Sequence, residues 1–186
     1  MDTPDASRRA LLQAIAAVIV TAATPIGWAG EPTFSFFRPA EAADVEAVTA
    51  RIVPSDDSPG AREAGAVYFI DRALSTFFSR FAAEYRELLA GFQAAYRQRH
   101  PDAESFASLT AEQQDQFLKG VEQTPFFSAT QTLTLTGMFA SPSYGGNRNG
   151  AGWALIGFED HHVFQPPFGY YDRGYAGFLT DAGKAE

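Results

Sequence analysis

Apolar residues recur at helical spacing over most of the chain. Behind Pro39, Val45, Val48 and Ile52 fall at i, i+3 and i+7 and Pro54 closes the run, which predicts a short amphipathic helix. Ser55-Asp56-Asp57-Ser58-Pro59-Gly60 reads as a turn cluster. From Ala61 onward Val67, Ile70, Leu74, Phe77 or Phe78, and Phe81 keep the helical period, and Tyr85, Leu88, Leu89, Phe92 and Tyr96 carry it on to His100-Pro101. The pattern predicts a long second helix from Ala61, followed by a helical stretch up to His100-Pro101 that is either separate or its continuation with a bend near Arg80. Thr110-Ala111-Glu112-Gln113 has capping-box spacing, so a helix through Phe117, Leu118 and Val121 is expected behind Thr110. Pro125 sits where another helix begins, and Phe126, Phe127, Thr130, Leu133, Leu135, Met138 and Phe139 extend it to Ser141-Pro142. Its threonines weaken the helical signal, but no hairpin turn interrupts it, so helix is favoured over strand.

Both ends of the chain break this pattern. From Tyr144 onward glycines alternate with Trp153, Phe158 and further Phe and Tyr residues, and Pro166-Pro167 adds a rigid point. An ordered, Gly- and aromatic-rich C-terminal loop region packed over the helices is expected. At the other end Arg8-Arg9 precedes Leu11-Leu12 and the uncharged run Ala14 to Ala23, and small residues follow around Gly27-Trp28-Ala29. The run falls short of the roughly 20 residues a bilayer span needs. It reads as a twin-arginine export signal over residues 1–29, with Arg8 and Arg9 as its recognition pair. Residues 30–186 then form one mainly α, small helical domain, exported to the periplasm.

Composition narrows the chemistry. The net charge of −8 argues against nucleic acid or an anionic membrane as the main partner. Removal of residues 1–29 would take two Arg and two Asp, so this charge belongs to the folded part. Zero Cys excludes disulfides, thiolate metal sites, iron–sulfur clusters, covalent c-type haem and a cysteine nucleophile in this chain. Glu159-Asp160-His161-His162 is a cluster of metal-ligand types, but adjacent positions rarely converge on one ion and the helical His-Glu-x-x-His spacing is absent. Asp56 and Asp57 suit a turn better than paired acid–base catalysis or a calcium loop. Tyr144-Gly145-Gly146-Asn147 lacks the Gly-Lys-Ser/Thr of a phosphate loop and the Gly-x-Gly-x-x-Gly of a dinucleotide loop, leaving a tight turn in which Asn147 bonds local backbone. Ser143 stands in no nucleophile elbow.

Few groups could do chemistry, and aromatic residues are in surplus. Seventeen Phe and seven Tyr exceed what the periodic segments use. Phe126, Phe127, Trp153, Phe158, Phe164, Phe168, Tyr170, Tyr171, Tyr175 and Phe178 are divided between core packing and a large permanent partner interface. A twin-arginine signal serves cargo that is already folded, so a chain with few cofactor ligands points to a carrier for a folded partner.

The blocks Ile52-Val53-Pro54-Ser55-Asp56-Asp57-Ser58-Pro59-Gly60-Ala61-Arg62-Glu63-Ala64-Gly65-Ala66-Val67-Tyr68-Phe69-Ile70-Asp71, Leu109-Thr110-Ala111-Glu112-Gln113-Gln114, Gly137 to Asn147 and Gly152 to Phe158 resemble the gluconate 2-dehydrogenase subunit 3 family over roughly residues 40–158. The resemblance implies a small periplasmic subunit with no catalytic residue, cofactor or metal of its own. Its partners would be a large FAD-dependent oxidoreductase of the glucose-methanol-choline class and, in some complexes, a multihaem c-type cytochrome, with membrane contact only through the complex. This chain would supply the export signal and stabilise the flavoprotein, and Tyr144, Gly145, Gly146, Asn147 and Trp153 are the candidate interface or its buttress. After Phe158 the chain departs from the family pattern. A second reading is a stand-alone periplasmic binding or metal-binding protein using Glu159 to His162.

Overall fold

In a computed structural model the described residues are 33–160, and they form six α-helices joined by turns and short 3-10 segments, with no strand among them. The helices are α1 (Pro39–Ile52), α2 (Ala66–Ser75), α3 (Ala82–Arg99), α4 (Ala111–Val121), α5 (Pro125–Phe139) and α6 (Ala151–Ile156). The mainly α expectation therefore holds. The export signal of residues 1–29 and the aromatic tail beyond Asp160 lie outside the described residues.

Three helix starts follow from local chemistry. Pro39 occupies the first position of α1, where its missing N–H costs nothing, and the Glu41 carboxylate accepts the Arg38 N–H at 2.9 Å. Thr110 caps α4 reciprocally: its Oγ1 accepts from Gln113 N at 3.3 Å, and its own N–H donates to Gln113 Oε1 at 2.9 Å. Thr124 Oγ1 accepts the Phe127 N–H ahead of α5, again with proline at the first helical position.

Of the two alternatives for Ala61 to Arg99, two separate helices are observed, and the first begins later than expected. Residues 61–65 form turns, α2 stops at Ser75, and a 3-10 segment at Ser79–Phe81 leads into α3. The Ser75 and Thr76 hydroxyls both donate to the Arg72 carbonyl, satisfying it locally and favouring a stop. The break turns Phe78 into the core while Phe77 packs edge-on to Tyr144, 5.9 Å between centroids. Because the apolar spacing runs unbroken through the interruption, periodicity alone did not show it. The expected bend near Arg80 falls inside it.

Helix α5 lies at the centre, packed against α1, α2, α3 and α6, while α4 closes the far side against α1. Between α3, α4 and α5 the core is aromatic. Phe92 stacks on Phe126 at 4.4 Å and meets Phe106 and Phe117 edge-on at 5.1 and 5.5 Å. Each such buried ring contributes about 1.5–3 kcal/mol. Phe126 thus belongs to the core share of the surplus aromatics.

Polar groups within this core are all partnered among the described residues. Tyr85 Oη lies 2.9 Å from Thr130 Oγ1 in full burial, and burial pushes its phenol well above the ordinary range. Buried Asp44 of α1 accepts from Gln93 Nε2 at 2.8 Å and from Ala107 N at 3.2 Å. Buried Asp71 of α2 accepts the N–H groups of Ser35, Phe36 and Phe37, each at 2.8 Å, and so fastens the segment entering α1. Arg86 supports the same segment, donating to Phe36 O at 2.7 Å and to Glu41 at 3.1 Å.

Asp71→Ala orphans three backbone donors and is expected to cost about 2–4 kcal/mol in urea unfolding. Amide exchange at Ser35 to Phe37 should then rise more than exchange in α5. Arg51 of α1 binds Asp115 of α4 through Nε and Nη2, at 2.6 and 2.7 Å. This hydrogen-bonded pairing holds the Asp115 carboxyl below its ordinary value and raises Arg51. The lowered carboxyl stabilises the fold above the unfolded aspartate value of about 3.9, and that contribution fades as pH falls through the folded value. Asp115→Asn should therefore cost about 0.5 kcal/mol at pH 7, and paired unfolding curves should show that cost shrinking as pH falls below the unfolded aspartate value.

Candidate interaction surface

The chain that leaves α5 turns back at once and is held against the helix it came from. Asn147 is the fastening point. Its backbone is left-handed, at φ 47°, and its buried amide donates to Ala140 O and accepts from Gly152 N, both at 2.9 Å. Asn tolerates this conformation because its short side chain satisfies the backbone locally.

Two glycines let the returning backbone reach α5. A Cβ at Gly146 would run into the carbonyl of Gly137, and one at Gly152 into the carbonyl of Met138. The Trp153 indole N–H donates to Phe139 O at 2.9 Å, tying α6 to the last turn of α5. On the other side of the loop Arg72 Nη1 donates to Ser143 O at 3.0 Å. The Arg148 guanidinium lies 3.8 Å from the Tyr68 ring centroid, and the Arg148 N–H donates to Ala64 O at 3.0 Å.

The structure therefore brings the five sequence-nominated loop residues into one unit with unequal exposure. Gly145, Gly146 and Asn147 are buried and shape the loop, whereas Tyr144 and Trp153 are half-buried and present part of their rings. Helix α6 was not anticipated, since one of its six residues and both of its flanking residues are glycine and six residues give little periodicity. Leu155, Ile156 and Phe158 stand exposed along and just beyond it, with the Phe158 ring 5.1 Å from Trp153.

The remaining candidates are dispersed. Asp56 accepts from the Ser58 N–H and hydroxyl, which lowers its carboxyl below the ordinary range in an exposed turn. Glu159 and Asp160 are exposed, while His161 and His162 lie outside the described residues. No group of three or more ligating side chains converges among the described residues, and no helix there is long and apolar enough to cross a membrane. A shallow groove of about 250 Å³ between α3 and the start of α5 is lined by Leu88, Gly91, Phe92, Val121 and Phe126, with no convergent polar groups.

A Cβ at Gly152 is expected to force α6 away from α5. Gly152→Ala should cost about 1–3 kcal/mol by overpacking, and Asn147→Ala a similar amount by orphaning the Gly152 amide and the Ala140 carbonyl. Thermal unfolding with Trp fluorescence reads both, since Trp153 reports on the α5–α6 contact.

The model of a family described as Gluconate 2-dehydrogenase subunit 3 matches residues 39–160, which covers every helix named above. No curated protein and no solved structure matches the chain. The chain belongs to the gluconate 2-dehydrogenase subunit 3 family.

Proposed function

We propose that this member of the gluconate 2-dehydrogenase subunit 3 family is the non-catalytic accessory subunit of a periplasmic, FAD-dependent sugar or sugar-acid dehydrogenase complex. The observation that carries the reading is the family match, which runs from the first helix of the domain to the last. The flavin and the oxidation reside in a large partner of the glucose-methanol-choline class, and a c-type cytochrome completes some complexes. Tyr144 and Trp153 offer ring edges to that partner, on a loop whose shape Gly145, Gly146 and Asn147 maintain.

Mass action supplies the mechanism. A subunit that binds only the folded, FAD-loaded partner lowers the free energy of that state by RT ln(1 + [subunit]/Kd), about 2.7 kcal/mol when the subunit is at a hundred times Kd. It then lends its partner the Arg8-Arg9 signal, so that the loaded complex crosses as one body.

Replacing both arginines by lysine is expected to leave the large subunit's dehydrogenase activity in the cytoplasm. Activity in the periplasmic fraction of that double variant would defeat the carrier role. Purification of the tagged chain should bring a flavin absorption band in stoichiometric yield, whereas a colourless monomer would defeat the accessory-subunit reading altogether.

A further inference from the structure

From Thr124 to Phe158 the chain carries a single formally charged side chain, Arg148, and that one is stacked on Tyr68. The whole of α5 and α6 is free of ionisable groups, in a protein that is 19% charged overall with a net charge of −8. Other helices place carboxylates and cationic groups on their outer faces: Glu84, Glu87 and Arg97 on α3, and Glu112, Asp115 and Lys119 on α4.

The outward face of α5 carries exposed Gln131 one turn before Leu135, and its threonines are more apolar than the sequence suggests. Thr132 and Thr136 lie on it, and their hydroxyls donate back to Ser128 O and Thr132 O at 2.9 and 2.8 Å, which presents their methyl groups and reduces their demand for water. Leu135 is 42% exposed between them, and Phe139, one turn on, meets α6. On α6 and its exit Leu155 is 45%, Ile156 59% and Phe158 43% exposed. Among the described residues the exposed large apolar side chains are thus gathered on two helices and the exit of the second, which the Asn147 and Trp153 hydrogen bonds hold together. Scattered exposed apolar residues need no explanation, but a set confined to one uncharged face marks an interaction site.

We propose that the α5–α6 face, centred on Leu135, Leu155, Ile156 and Phe158, is where the large dehydrogenase subunit docks, through an equally uncharged apolar patch of its own. The proposal rests on the accessory-subunit reading and assigns it a surface beyond the loop rings. Charge decides among occupants. A charged patch on the partner would lose its hydration here without gaining an opposite charge. A second copy would bring two bodies of charge −8 together.

The test is co-expression of the full chain with the large flavoprotein of its host, identified by mass and bound flavin, for the wild type, Leu135→Lys, Ile156→Asp and the control Lys119→Glu on α4. Complex formation is read by size-exclusion chromatography with light scattering, and the isolated chains by thermal unfolding. The expected result is a loss of affinity of at least about thirtyfold for Leu135→Lys and Ile156→Asp. The control should keep the complex, and isolated variants should unfold within about two degrees of wild type, as suits exposed positions. A wild-type complex that tolerates both charges overturns the face alone. A wild-type homodimer broken by them gives the face to a second copy and overturns the proposal. A fall of many degrees in the isolated variants shows the face covered within the chain and overturns it likewise. If the wild type binds no flavoprotein, the accessory-subunit reading fails and this partner fails with it.

Discussion

Helix α5 has no charge to spend on water, so the rest of the domain is arranged to cover it. Its inner residues Phe126, Ala129, Leu133 and Met138 are buried among α1, α2 and α3. The chain then doubles back so that Gly146 and Gly152 lie against the carbonyls of its last turn. A helix that is apolar on nearly every side is stable only where neighbours exclude solvent. That requirement accounts for the central position of α5 and for the close backbone contacts at its end. It also accounts for the threonine hydroxyls that turn inward to satisfy themselves on the one face left open.

Around this core two carboxylates do the work that a larger hydrophobic interior would otherwise do. Asp44 and Asp71 are buried on α1 and α2, and each collects donors from segments distant in sequence: the 3-10 turn at Phe106–Ser108 for Asp44, the entering segment of residues 35–37 for Asp71. A buried carboxylate without donors would be costly, and one with three N–H partners fixes irregular backbone against a helix where no helix dipole or ladder could. Aromatic rings then fill the spaces that irregular backbone leaves, as Phe106 does beside Phe92 and Tyr96.

Much of this was legible in the residues. Pro39, Thr110 and Pro125 announce three helix starts because their effect is local, and the Phe117-Leu118 pair and the Leu133-Met138 spacing point inward as expected. The break between α2 and α3 was not legible, since Leu74, Phe78 and Phe81 stay in phase across it while Ser75 and Thr76 end the helix through their side chains. Helix α6 escaped notice because its glycines answer to tertiary approach rather than to helix propensity. The buried acids leave a trace in the apolar pattern. Asp71 lies in the stripe of Val67 and Leu74, and Asp44 one turn before Val48, so a charge on an apolar stripe was the available signal. In the loop, Asn147 was readable as a turn residue, but its burial and its pull on Gly152 depend on α5 lying beneath it.

An uncharged, partly apolar face has an energetic consequence for a subunit that depends on a partner. Left open, it limits solubility, and the surrounding net charge of −8 opposes self-association without adding anything to the stability of the fold. Cover by a partner, on the accessory-subunit reading, would contribute burial that stabilises both chains, since linkage is reciprocal: whatever free energy this subunit lent its partner, the partner would return to it. On the accessory-subunit reading, the domain is built to be adequate alone and secure only in the complex. Its fixed parts, the Asp71 clamp and the Asn147 turn, hold the docking face and the chain's entry in one geometry before the partner arrives. Pre-organisation of that kind lowers the entropy lost on association, so a modest face can hold a much larger protein.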